Sequence, residues 1–204
     1  EVPTAVVAAS ADAELALDLL MRHPERFAPI HPQSAAMRTL VNLTEHRREL
    51  VGDKIRLSNR LINTLKQYYP QALDWFEQRD TVLFFDFLTR WPTLAQAKRA
   101  RVETLKAFFN THNSRRSHVV EARLESIKAA MPLTEDRGVI DPCRLHALML
   151  VKQLRATLES IEQFDHAIAK LAPTLPDYSL FQRLPGAGEH LAPRLLAAFG
   201  EDRQ

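Results

Sequence analysis

A single cysteine, Cys143, stands in this chain of 204 residues. No disulfide can form within the chain and no cage of thiolates can hold structural zinc, which fits a reducing compartment. Glycine is nearly as scarce, with five residues against twelve prolines. That leaves few sites for tight hairpins or phosphate-cradling loops. Neither the Walker nor the dinucleotide-type glycine spacing occurs, so nucleotide hydrolysis is not expected. No apolar run approaches the roughly 18 residues that cross a bilayer. The N-terminus also lacks the basic start and cleavage pattern of a secretory leader, and the expected location is the cytoplasm. The serines have no nucleophile-elbow glycine context. The eight histidines show no paired metal-ligand spacing. His46, His112 and His166 have no evident carboxylate partner and read as surface or phosphate-facing groups.

What is present is an ordinary globular composition, 46% apolar and 25% charged, with helical periodicity almost throughout. Leu15, Leu19 and their neighbours predict a short amphipathic helix, capped by Asp12 or Ser10 and ending at His23-Pro24. After Ser34, a candidate N-cap, no proline occurs until Pro70. The seam Leu40, Leu43, Arg47, Leu50, Lys54, Leu57, Leu61 steps by three and four, as in a coiled coil. A second seam, Ala147, Val151, Leu154, Leu158, Ile161, Asp165, Ile168, follows Asp141-Pro142, which reads as an N-cap with proline at the first helical position. Two long helices with matching seams should pack together. The chain between them must leave and return at one end, so the expected fold is all-α: a long antiparallel coiled-coil hairpin with a small helical tip subdomain. The tip reads as short helices around Phe84, Phe85, Phe87, Leu88 and Trp91, with Leu94–Ala100, Val102–Asn110 and Ser117–Ala130 following. Trp75 and Trp91 are expected to be packing residues. The divisions are thus 1–32, a first long helix in 33–70, the tip in 71–140, a second long helix in 141–172, and a C-terminal unit in 173–204.

The net charge of +2 hides an uneven distribution. From Arg38 to Lys66 there are seven basic residues and three acids, and from Arg90 to Arg116 seven again with Glu103 the only acid. Such clusters suit a phosphate-bearing partner. Candidate contacts are Arg47, Lys54, Arg56, Arg60, Lys98, Arg99, Arg101, Arg115 and Arg116, with Arg47, Lys54 and Asp165 equally suited to setting register in the seams. The most specific local motif is Leu184-Pro185-Gly186-Ala187-Gly188, followed by Leu191, Ala192, Leu195 and Leu196. It reads as a helix-hairpin-helix, in which Gly186 and Gly188 would let a phosphate approach the first amides of a helix. The plainer reading is a glycine-containing turn between packed helices.

Four segments in this order, Asp12 to Leu20, Arg56 to Pro70, Arg90 to Leu94 and Leu184 to Gly188, resemble the insertion-sequence 110 (IS110) family of transposases. The resemblance covers essentially the whole chain. It implies a DNA recombinase with a RuvC-like domain whose four acids hold Mg2+, a coiled coil, and a C-terminal domain with a serine nucleophile. It also implies DNA and a structured guide RNA as partners and a homodimer formed through the coiled coil. On that scheme this chain is the middle portion, with 1–32 the end of the metal domain and 173–204 the start of the serine domain. Asp12 falls where the family has its last acid, but three residues earlier stands Ala9, which cannot ligate metal. The chain alone is therefore expected to bind nucleic acid and pair with a second copy without cutting DNA. The alternative is a helical scaffold that mediates protein contacts.

Overall fold

A computed structural model describes residues 4–27, 32–112 and 117–201. Among them there are helices and no strand, as the periodicity requires. Arg115 and Arg116 lie outside the described residues.

Helix α1, Thr4–Arg22, ends where predicted, before His23-Pro24, and a single 3-10 turn follows at Pro24–Arg26. Its start differs from expectation. Asp12 is not a cap: it lies in the interior of a 19-residue helix, because Thr4 to Ala11 contains no glycine or proline to stop the helix from extending towards the N-terminus. Leu15, Leu17, Leu19 and Leu20 are all exposed.

Helix α2, Ala35–Tyr68, begins at the predicted cap, with the Ser34 hydroxyl accepting from the Met37 amide at 3.1 Å. It stops at Tyr69-Pro70, since proline disfavours helical backbone in the residue before it. Helices α3 (Gln71–Trp75), α4 (Val82–Arg90), α5 (Leu94–Arg99), α6 (Val102–Thr111) and α7 (Ser117–Ala129) form the tip. Thr81 and Thr93 cap α4 and α5 by accepting from Phe84 and Gln96 amides. Helix α8, Arg137–Leu171, returns along α2.

The start of α8 corrects the sequence reading. The cap is Asp136, whose carboxylate accepts from the Gly138 amide at 2.8 Å, and Pro142 lies inside the helix rather than at its first position. Proline there removes one amide donor at the solvent-facing end of a 35-residue helix, a loss the long seam outweighs. The seam itself is as expected. As numbering rises along α2 it falls along α8: His46 faces Phe164, Arg47 faces Asp165, Thr64 faces His146 and Gln67 faces Cys143. The helices are therefore antiparallel, and every predicted seam position is buried or half-buried.

Two cores sit at opposite ends of this hairpin. The larger joins the distal part of α2 and the proximal part of α8 to the tip, through Leu61, Leu65, Trp75, Phe76, Phe84, Phe87, Phe109, Leu150 and Leu154. Trp75 and Trp91 are both buried in it, as packing residues. The smaller core gathers Met37, Leu40, Ile168, Ala172, Leu175 and Leu196 at the base. There α9 (Tyr178–Gln182) and α10 (Leu191–Phe199) dock on the hairpin. The Glu201 carboxylate then accepts from the Ser34 amide at 2.6 Å, placing a negative charge at the positive end of α2.

Candidate functional site

The tip carries an open cleft of about 750 Å³ between α5 and the start of α8. Lys98 and Arg99 occupy the last turn of α5, where the helix dipole favours cations. Arg137 and Arg144, seven residues apart and so on one face of α8, form the opposite wall. Tyr68, Leu94, Pro132 and Ile140 provide its apolar surface, and Glu135 and Asp141 are its only acids among the described residues. Lys98 also donates from Nζ to the Ala130 carbonyl at 2.7 Å, closing the end of α7. Arg137 reaches Asp141 only at 3.9 Å with both side chains largely exposed, an arrangement that holds little energy. Arg99 is exposed, as is Arg101 at the cap position of α6, where a cation does nothing for the helix.

The cations predicted on α2 have different surroundings. Arg47 forms a two-pronged pair with Asp165 across the seam, with side-chain exposures of 18% and 29%. Lys54 pairs with Asp80 at 3.1 Å, and Arg56 with Asp53 one turn away. Arg47 and Lys54 are thus held by carboxylates with their own side chains mostly buried, and the register reading fits Arg47, whereas the Arg56–Asp53 pair is exposed and holds little energy. Arg60 is exposed.

At the C-terminal motif, Leu184-Pro185-Gly186-Ala187 makes a turn closed by the Ala187 amide donating to the Leu184 carbonyl at 3.0 Å. Gly186 has φ +80°, the left-handed value that the third residue of a type II turn needs. Gly188 has no such requirement: a Cβ built there meets nothing within 4 Å. The first two amides of α10, those of Leu191 and Ala192, both donate to the Gly188 carbonyl, and the third residue is Pro193, which has no donor. The helix that would hold a phosphate thus offers no free amide at these positions, and α9 before it is only five residues long. The geometry matches the plainer reading, a turn between packed helices.

A charged node that the sequence did not reveal lies at the edge of a second cleft of about 640 Å³. Asp86 on α4 accepts from Nε2 of His112 at 2.7 Å and from Arg155 of α8, while Nδ1 of His112 faces the Phe108 carbonyl at 2.9 Å. Both ring nitrogens therefore face acceptors, which only the imidazolium can satisfy. Burial pushes His112 down, but the Asp86 carboxylate and the Phe108 carbonyl outweigh it and hold the group above its ordinary 6.5. Burial pushes the Asp86 carboxyl up, but the hydrogen bonds from His112 and Arg155 outweigh that and hold it below its usual value. The expectation of an unpartnered surface His112 is corrected, because Asp86 lies 26 residues away in sequence. A raised histidine stabilises the fold fully below about pH 6.5 and loses that contribution as pH rises through the folded value. Melting temperature should therefore fall between pH 6 and 8.5, and the fall should flatten in His112→Gln. An identical slope in that variant would show that the node does not couple protonation to folding.

The Mg2+ implied by the family resemblance finds no ligand set here. Asp12 is exposed on α1, and among the described residues no group of three or more His, Cys, Asp or Glu could hold a metal ion. No metal-dependent step can be assigned to them. Among the described residues, no helix is long and apolar enough to cross a membrane.

Comparison with known proteins agrees with the order of motifs. A family model described as a transposase, of the DEDD type of IS110, matches residues 10–70. The mini-circle putative transposase for IS117 of Streptomyces coelicolor is 25% identical over 197 residues, covering 94% of this chain and 48% of that protein. The insertion element IS116 uncharacterized 44.8 kDa protein of Streptomyces clavuligerus is 29% identical over 182 residues, covering 86% and 43%. No solved structure matches. The chain spans about half the length of these curated relatives. The matched segment and both relatives thus make the chain similar to transposases of the IS110 type, in agreement with the resemblance of its motifs.

Proposed function

We propose that this chain is the nucleic-acid-binding helical segment of an IS110-type transposase. In this reading it contacts phosphates through the tip cleft, and strand exchange is left to the parts of a full-length transposase that this chain does not span. The observation that carries the reading is the placement of Lys98, Arg99, Arg137 and Arg144 around one cleft with only Glu135 and Asp141 opposing them, while the cations of the hairpin seam are already paired. Such a surface contacts backbone without reading bases, so DNA and a structured RNA are both admitted. Pairing of two copies along the hairpin belongs to the same reading. So does the view that Asp12 alone supports no cleavage, since one carboxylate cannot hold Mg2+.

The test is binding of short duplex DNA and of RNA, followed by anisotropy between 50 and 200 mM salt. Each phosphate neutralised on duplex DNA contributes about 0.9 to the slope of log affinity against log salt. Arg99→Gln and Arg144→Gln should each lower that slope by about one such increment. Arg47→Gln should leave the slope unchanged and reduce stability instead. Salt-independent affinity, or a slope untouched by the cleft variants, would favour a scaffold that binds only protein.

A further inference from the structure

We propose that the cavity between the end of α3 and α7, lined by Phe76, Glu77, Gln78, Thr81, His112 and Arg123, is a binding site for a phosphate-type oxyanion. The cavity measures about 360 Å³ and is separate from the basic cleft of the tip. Arg123 projects from α7 into the aromatic core of the tip, where its guanidinium rests against the rings of Phe76 and Phe109 at 4.8 and 5.0 Å. Its Nε donates to the Trp75 carbonyl at 2.7 Å. Its Nη1 is enclosed and has no hydrogen-bond partner.

The notable fact about Arg123 is what it lacks. Arg47, Arg56 and Arg155 each contact a carboxylate, but among the described residues no carboxylate lies within the 4.0 Å range of an ion pair with Arg123. A cation taken partly out of water without a counter-charge is costly. Burial accordingly pushes the guanidinium below its ordinary value. The rings recover part of that cost, and with Nε held by the Trp75 carbonyl only the terminal nitrogens of the fork remain for an acceptor. The surrounding field has the same sign. His112, on the cavity wall, carries the second proton its two acceptors demand, and Arg155 stands behind it. Against these three cations are Asp86, shared by His112 and Arg155, and the exposed Glu77. One positive charge is left over. Gln78 adds a side-chain amide to the rim, while the Thr81 hydroxyl is engaged with the Gln78 carbonyl and the Phe84 amide. A planar cationic fork with a surplus charge and a neutral amide beside it matches the oxygens of a phosphate.

Free phosphate and the terminal phosphate of a nucleic acid share this chemistry. The experiment titrates the full chain at pH 6.5 with inorganic phosphate by calorimetry, then with oligonucleotides bearing either a 5′-phosphate or a 5′-hydroxyl. One phosphate should bind per chain. Arg123→Gln should weaken it at least tenfold, and Glu77→Gln should tighten it several-fold with an unchanged melting temperature. A tenfold preference for the phosphorylated oligonucleotide over both other ligands would identify a nucleic-acid end, and equal affinities for inorganic phosphate and the phosphorylated oligonucleotide would identify free phosphate. Absence of phosphate binding by the wild-type chain overturns the proposal. So does an affinity unchanged by Glu77→Gln, which reads the site even where Arg123→Gln fails to fold. Failure of the cleft variants to alter the salt slope leaves this proposal standing, and the converse also holds.

Discussion

Phe87→Ala should destabilise the fold by about 3 to 5 kcal/mol, the range for truncating a fully enclosed phenylalanine. Phe87 is wholly buried, with its ring centroid 4.9 Å from that of Phe76, 5.3 Å from Trp91, 5.9 Å from Trp75 and 6.0 Å from Phe108. No neighbouring side chain can collapse into the space, because each is itself held by another ring. Since whole-domain stabilities are about 5 to 15 kcal/mol, the loss should be plain in urea unfolding followed by tryptophan fluorescence. Trp75 and Trp91 both touch Phe87 and report directly on the site. A loss below about 1 kcal/mol would mean that the tip core is packed differently.

Leu154→Ala comes next, at about 2 to 5 kcal/mol, and its informative companion is Leu57→Ala. Both were expected to be buried seam residues. Leu154 is fully enclosed beneath the tip, while Leu57 is half-buried at the edge of the same core. The cost at Leu57 should be clearly smaller, because a partly exposed side chain gives up less transfer energy and leaves a space that water can enter. Equal costs in chemical denaturation would show that the middle of the hairpin is covered in solution, as pairing with a second copy would require.

Most of the fold was legible because it depends on local periodicity. The seam positions and the ends of α4 to α7 follow from steps of three and four punctuated by Pro92, Pro132 and threonine caps. The antiparallel return follows from chain connectivity. The errors have physical origins too. Taking Pro142 as a first helical residue hid the first turn of α8, and with it the fact that Arg137 and Arg144 share a face. Asp12 looked like a cap only because acidic residues favour helix starts, yet nothing in the preceding residues forces a helix to begin there. The site was less legible than the fold. Charge counts gave Lys98, Arg99 and Arg101 the same weight as Arg47 and Lys54, whose carboxylate partners lie 118 and 26 residues away. The Asp86–His112–Arg155 node and the solitary cation Arg123 arise from tertiary packing, which no spacing rule in one sequence announces.

The two cores at opposite ends of the hairpin make the helices between them a spacer of fixed length. Along α2 the stretch from Leu40 of the base core to Leu61 of the tip core amounts to about 32 Å at 1.5 Å per residue, close to the rise of about nine base pairs at 3.4 Å each. A ligand seated at the tip is kept that far from the base, and the distance is written in residue count. Removing seven residues from α2 and the seven facing them on α8 would draw the ends together by about 10.5 Å, turning one against the other by only about 20°. Removing three or four would bring the ends closer by less but would break the match between seams. Length in this hairpin can therefore change in steps of seven while both ends keep their own cores.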